Sequence, residues 1–159
     1  MKALWAPWRL SYIKGDDKAP GSCVFCPAGY DSPYCLYTSD HAAIFLNRFP
    51  YANGHAMVVP RRHVADLQDL TDPEILAIEQ LSTLCLRVLR QWMKAEGFNV
   101  GYNLGEVAGA GIAAHLHRHI VSRWRGDVNY MTVLADVKVI PEHIEQTARE
   151  FKRRIEALL

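Results

Sequence analysis

The spacing of apolar residues along this chain switches between two periods. Residues 36–38, 42–47 and 55–59 are short, mainly apolar runs bounded by turn-forming residues, which predicts three strands. Phe49-Pro50-Tyr51-Ala52-Asn53-Gly54 is the turn between the last two, so they form an antiparallel meander. From Thr71 the period lengthens. Ile75, Ile78, Leu81, Cys85, Val88, Leu89 and Trp92 recur at spacings of three and four, which predicts a long amphipathic helix. Thr71 or Asp72 can cap it, Pro73 fits its first turn, and Gly97 is a suitable left-handed stop after Glu96. Residues 98–104 return to strand, a glycine-rich loop follows, and a further strand is expected from His115 into Trp124. A turn at 125–129, a short strand within 133–140 and a charged helix over 141–159 close the chain, the helix turning Ile144, Phe151, Ile155 and Leu158 inward.

With 159 residues, half of them hydrophobic, the chain suits one compact α+β domain with a substantial core. The first residues are rich in aromatics (Trp5, Trp8, Tyr12) that can dock on the core or on a partner subunit, and residues 14–21 read as an exposed link. A formal net charge of +1 argues against a protein that coats nucleic acid. No apolar run is long enough to span a membrane, and the N-terminus, broken by Pro7 and Arg9, is no signal peptide. Four cysteines in a chain of this size suggest a reducing compartment, so a cytoplasmic protein is expected. Cys85, on the apolar helix face, is a small core residue.

Two features carry chemistry. Cys23-Val24-Phe25-Cys26 offers two thiolates at zinc-knuckle spacing, and a closed tetrahedral site needs two more ligands. With no second cysteine pair, histidines must complete it; His41, His55, His63, His143 and one of the row described next are the candidates, His63 attractive because it follows a strand end. A redox pair is the competing reading, but the flanking sequence supplies neither the preceding strand nor the helix N-terminus that would lower a thiol pKa. The second feature is His115-Leu116-His117-Arg118-His119, whose period of two puts three imidazoles on one face of a strand. A histidine-rich metal tract or a polar strand face would look the same. The preceding loop, 103–111, changes that picture, because its glycines let backbone N–H groups approach an anion. A neutral imidazole can attack phosphorus and split one displacement into two steps. The central histidine is best placed to do so, and loop N–H groups would meet the charge developing on the phosphate oxygens. The combination points to phosphoryl or nucleotidyl transfer.

The row His115-Leu116-His117-Arg118-His119-Ile120-Val121 resembles the signature of the histidine triad (HIT) superfamily. Leu4-Trp5-Ala6-Pro7-Trp8-Arg9, the Cys23 to Cys26 loop, Ala108-Gly109-Ala110-Gly111-Ile112 and the stretch from Trp124 through Gly126-Asp127 to Asn129-Tyr130-Met131 are similar to its branch containing diadenosine tetraphosphate phosphorylases. The resemblance implies a HIT-like fold: an antiparallel five-stranded sheet with a long helix and a C-terminal helix, paired as a homodimer or, in some members, a tetramer. It divides the single domain 1–159 into an N-terminal extension (1–22), a zinc-knuckle loop (23–35), a core (36–140) and the C-terminal helix (141–159). It implies a purine nucleotide or dinucleoside polyphosphate as substrate and attack on its α-phosphate, with no nucleic acid polymer or membrane as partner. His117 becomes the nucleophile, with His115 and His119 completing the catalytic row and His119 assisting proton transfer at the phosphate. Phe45 falls near the base, Asn47 at the ribose, and Asn103, Gly109, Gly111 and Trp124 among the nucleotide-binding positions. Cys23, Cys26, His63 and His115 become the ligands of a structural zinc. The same resemblance covers hydrolases of purine nucleoside phosphoramidates or AMP esters, and a zinc-stapled nucleotide-binding module without turnover. The chain departs from the pattern at Arg118, where the signature is apolar, at Ser122, where the branch commonly has proline, and at Ala114, which leaves no polar side chain to support the triad.

Overall fold

A computed structural model describes residues 23–127 and 140–159. Five strands, β1 (Cys35–Thr38), β2 (Ala42–Leu46), β3 (Ala56–Pro60), β4 (Gly97–Tyr102) and β5 (Arg118–Arg123), form one antiparallel sheet in the order β1-β2-β3-β5-β4. Helix α1 (Asp72–Met93) links β3 to β4, and α2 (Ile144–Glu156) lies near the C-terminus. The N-terminal aromatics, the expected strand within 133–140 (apart from Ile140) and the last part of the 125–129 turn lie outside the described residues.

Every residue of β2 and β3 is buried, because the sheet is covered on both faces there. Ala42, Ile44 and Leu46 of β2 and Ala56 and Val58 of β3 join Ile120 of β5 on one face. Against them pack Ile78, Leu81, Cys85, Val88 and Leu89 of α1 and Phe151 and Ile155 of α2, matching the helical periodicity of the sequence except at Ile75, which lies in the first turn and is exposed. The alternate side chains, Ala43, Phe45, Met57 and Val59, face the other way and pack with Phe25 and Cys35. The candidate site is built on this second face.

Helix α1 begins where its capping residues predict. The backbone N–H of Thr71 donates to Glu74 Oε2 at 2.8 Å, and the Thr71 hydroxyl donates to the same oxygen at 2.9 Å. The helix stops earlier than Gly97 suggests: Lys94 takes the left-handed conformation (φ 54°), and Gly97 instead opens β4. The sheet wins these residues, since Glu96 N–H bonds Arg123 O and Gly97 pairs with Arg123.

The histidine strand is also shorter than expected. Only His119 lies in β5; His115 and His117 precede it, and Leu116 N–H instead bonds Val64 O at 2.7 Å. The cause is Pro60, which ends β3: it has no N–H to continue the ladder, and its carbonyl is taken by His115 Nε2 at 2.9 Å. Arg118 does point away from the triad, to the helix face. Its guanidinium pairs with Glu79 of α1 and lies 5.7 Å above the Tyr102 ring. Ser122 is fully buried on the same side of β5.

Candidate active site and metal centre

Each histidine of the row has its tautomer set by a different neighbour. His115 Nε2 donates to Pro60 O at 2.9 Å, so its Nδ1 keeps a lone pair. That Nδ1 lies 3.3 Å from Cys23 Sγ and 3.7 Å from Cys26 Sγ, while His63 Nδ1 lies 3.3 Å from Cys26 Sγ. The four donor atoms fall within 4.8 Å of one another. A tetrahedral zinc at its usual bond lengths separates sulfur from nitrogen by roughly 3.5 Å, which these distances match. The donor set of two thiols and two imidazoles therefore fits zinc, and the His115 to Pro60 bond supplies the outer contact that orients a metal-ligating imidazole. Of the other histidine candidates for this site, His41 and His143 are exposed elsewhere and His55 is engaged with His119.

His117 has the opposite arrangement. Its Nδ1 donates to the carbonyl of His115 at 2.8 Å, which leaves the lone pair on Nε2. The ring is 6% exposed and lies against Phe25, centroids 5.3 Å apart. Burial lowers its pKa below the ordinary imidazole value, opposed by the bond to the His115 carbonyl. A neutral imidazole with a free Nε2 is what nucleophilic attack requires.

His119 is controlled by a residue that the sequence did not single out for this purpose. His55, fully buried, accepts the Tyr51 backbone N–H at Nδ1 (3.1 Å), with the Asn47 amide at 3.3 Å from the same nitrogen. His55 Nε2 must then carry its proton, which it donates to His119 Nδ1 at 2.9 Å. The proton of neutral His119 is thereby placed on Nε2, a buried nitrogen with no partner among the described residues. Burial, with a smaller contribution from His117, pushes the His119 pKa down to about 4. The two rings stand 4.9 Å apart at 75°, one offering a lone pair and the other an N–H on the same face of the sheet. Sequence reasoning weighed His55 as a metal ligand. Its role here depends on β3 and β5 being neighbours, as the pairing of Met57 with His119 shows, and no spacing along the chain reports that.

The remaining candidates surround this pair unevenly. Phe45 is buried against Phe25 at 5.3 Å and Tyr30 at 6.0 Å. Asn47, at the end of β2, uses Oδ1 to accept the Phe49 N–H at 2.9 Å and so shapes the turn carrying Tyr51. Asn103, Gly109 and Gly111 lie in the loop before the triad; Gly105 and Gly109 both have positive φ (80° and 89°), the conformations that close this loop on itself. Asn103 Nδ2 is 3.9 Å from where a Cβ on Gly109 would stand. Trp124 is half-buried, and its indole N–H is donated to Met93 O at 3.0 Å, tying the end of β5 to the end of α1. Phe25, also passed over in the sequence, is 3% exposed and touches Phe45, His115 and His117.

The HIT domain family matches residues 33–126. The AP-4-A phosphorylase of Mycobacterium tuberculosis (strain ATCC 25618 / H37Rv) is 37% identical over 164 residues, spanning 94% of this chain and 82% of that protein. The adenosine 5'-monophosphoramidase hnt1 of Schizosaccharomyces pombe is 26% identical over 136 residues, covering 84% of this chain and 98% of its own. Among solved structures, a zinc-bound histidine triad family protein from Mycobacterium smegmatis superposes with a TM-score of 0.68 at 26% identity, over 86% of this chain and 95% of that one. The chain belongs to the HIT family and is an enzyme.

Proposed function

We propose that the protein is a nucleotidyl transferase that cleaves a dinucleoside polyphosphate at its α-phosphate through a covalent nucleotidyl-His117 intermediate, which inorganic phosphate resolves. The observation that carries this is the complementary pair of protonation states: a lone pair on His117 Nε2 beside an N–H on His119 Nε2. His117 Nε2 attacks the α-phosphorus, forming a P–N bond as the P–O bond to the leaving polyphosphate breaks. His119 Nε2–H donates a hydrogen bond to the leaving oxygen, so the polyphosphate departs as an anion while the proton stays on His119, and His55 holds that imidazole in place. The charge that grows on His117 is stabilised at Nδ1–H by the His115 carbonyl. In the second half, phosphate attacks the same phosphorus, the P–N bond breaks, and a nucleoside diphosphate leaves.

The 37% identity to the mycobacterial AP-4-A phosphorylase supports the substrate class and phosphate as acceptor. Phe45 would lie near the base, Asn47 at the ribose, and Asn103, Gly109, Gly111 and Trp124 on the nucleotide. Cys23, Cys26, His63 and His115 would hold a structural zinc, which supplies a crosslink between the loop at 23–35 and the start of the triad. The four free cysteines and the thiolate donor set agree with a reducing, cytoplasmic setting. A homodimer follows most simply from β4, an edge strand with Val100 41% exposed, which a second copy can extend.

The test is product analysis on diadenosine tetraphosphate with and without labelled phosphate. Label in ADP, with ATP as co-product, is expected. AMP with ATP, and no label in ADP in excess phosphate, would instead mark a hydrolase of the phosphoramidase type, the reading that the fission-yeast relative favours.

A further inference from the structure

Residues 23–33 are attached to the rest of the fold by side chains. Their backbone bonds are local: Cys26 N–H to Cys23 O, Gly29 to Cys26 O, Tyr30 to Pro27 O and Ser32 to Gly29 O. Among the described residues, the bond from Leu46 N–H to Tyr34 O is the first to leave this part of the chain. What reaches across from residues 23–33 is the Cys23 and Cys26 thiols at His115 and His63, together with the buried ring of Phe25 and the half-buried ring of Tyr30. Phe25 stands between the two thiols in sequence. In space it packs on both a metal-site histidine, His115 (5.6 Å), and the nucleophile, His117 (5.3 Å).

We propose that zinc binding at Cys23, Cys26, His63 and His115 is thermodynamically coupled to nucleotide binding beside His117, and that Phe25 carries the coupling. The inference rests on the nucleotide reading given above. Without metal, the links from Cys23 and Cys26 are thiol–imidazole contacts, weak beside coordinate bonds, so the segment is held chiefly by its apolar rings. Zinc orders that segment and sets Phe25 against His117, forming one wall of the site. A nucleotide that uses the wall needs the same ordering, so whichever ligand binds first bears the entropic cost for the second. Coupling of this kind is reciprocal: nucleotide must raise zinc affinity by the factor by which zinc raises nucleotide affinity. A second physical route exists through the His115 carbonyl on His117 Nδ1, and the Phe25 variant separates the two.

The experiment measures zinc affinity of the full chain by competition with a chromophoric chelator, with and without saturating AMP, and AMP affinity by calorimetry before and after zinc removal. Both should shift in the same sense, by about fivefold or more. In Phe25→Ala, which keeps all four metal donors, the factor measured in the same way should fall to near one, and Phe25→Leu should restore most of it. Amide exchange over residues 23–33 gives a readout that needs no variant: in the zinc-free wild type, AMP should slow it. Zinc affinity unchanged by bound AMP, a full coupling factor in Phe25→Ala, or exchange unaffected by AMP would each overturn the proposal. Failure of AMP to bind any form would overturn the nucleotide reading itself, and the coupling with it.

Discussion

His55 Nε2 stands 2.9 Å from His119 Nδ1, and the direction of that hydrogen bond is dictated by the Tyr51 N–H on the far side of His55. A backbone amide in a turn thus decides which nitrogen of a triad histidine carries the proton. Replacing His55 by Leu should remove this control and lower kcat about 10- to 100-fold, the range typical of lost orienting partners. Zinc content should stay unchanged. Steady-state kinetics with metal analysis checks this, and an unaltered kcat would refute it.

His117 and His63 should fail in different ways. His117→Ala removes the attacking nitrogen but no metal donor, so it should abolish transfer while keeping zinc and the melting temperature near wild type. His63→Ala opens the four-donor cluster and should lower metal content and melting temperature together. A full zinc complement in His63→Ala would contradict the ligand set.

The pH dependence follows from burial. The His119 pKa lies near 4 in the fold, below the ordinary value of about 6.5. Between those values the unfolded chain takes up a proton that folded His119 refuses. Its contribution to stability is therefore complete above about 6.5 and falls as pH drops toward 4. Wild type should lose melting temperature across that window more steeply than His119→Asn. Because burial also lowers His117, the acid limb of kcat/KM should lie below 6.5. A limb above about 6.5 would show that these imidazoles are more hydrated than their packing indicates.

Glu74 ties the start of α1 to the strand end that carries His63. It pairs with Arg62 at 2.8 Å, caps Thr71, and Arg62 holds its carboxyl down to about 2. Its depressed pKa contributes stability above about 4.5 that is lost as pH falls toward 2. Glu74→Ala should cost about 1–2 kcal/mol at neutral pH, as lost caps do. Chemical denaturation at pH 7 and pH 3 should show the mutational difference shrinking at the lower pH.

Much of this was legible because it is local. The spacing of Ile78, Leu81, Cys85, Val88 and Leu89 reports which side of α1 meets the sheet, and all five are buried there. Alternation at β2 and β3 was harder to read, because strands covered on both sides lose their polar face. The end of the histidine strand was misjudged because it depends on Pro60, distant in sequence but adjacent in the sheet. Phe25 and His55 were underestimated for the same reason: each acquires its role from a partner on another element. The resemblance named the metal set, whereas its distances emerge only when residues 23–26, 63 and 115 are brought together.

Gly54 precedes His55 with φ +71°, and a Cβ there would lie 2.7 Å from Leu89 Cδ2 and 2.8 Å from Met93 Sδ. A side chain at this position is strained by the positive φ and must displace Leu89 and Met93 or shift the turn on helix α1, and a shifted turn carries the next residue, His55, with it. A surveyor of natural or laboratory variants would score such a change as a remote loop polymorphism. Its phenotype should be that of a disabled triad, inherited through the backbone without any chemical group of the site having been altered.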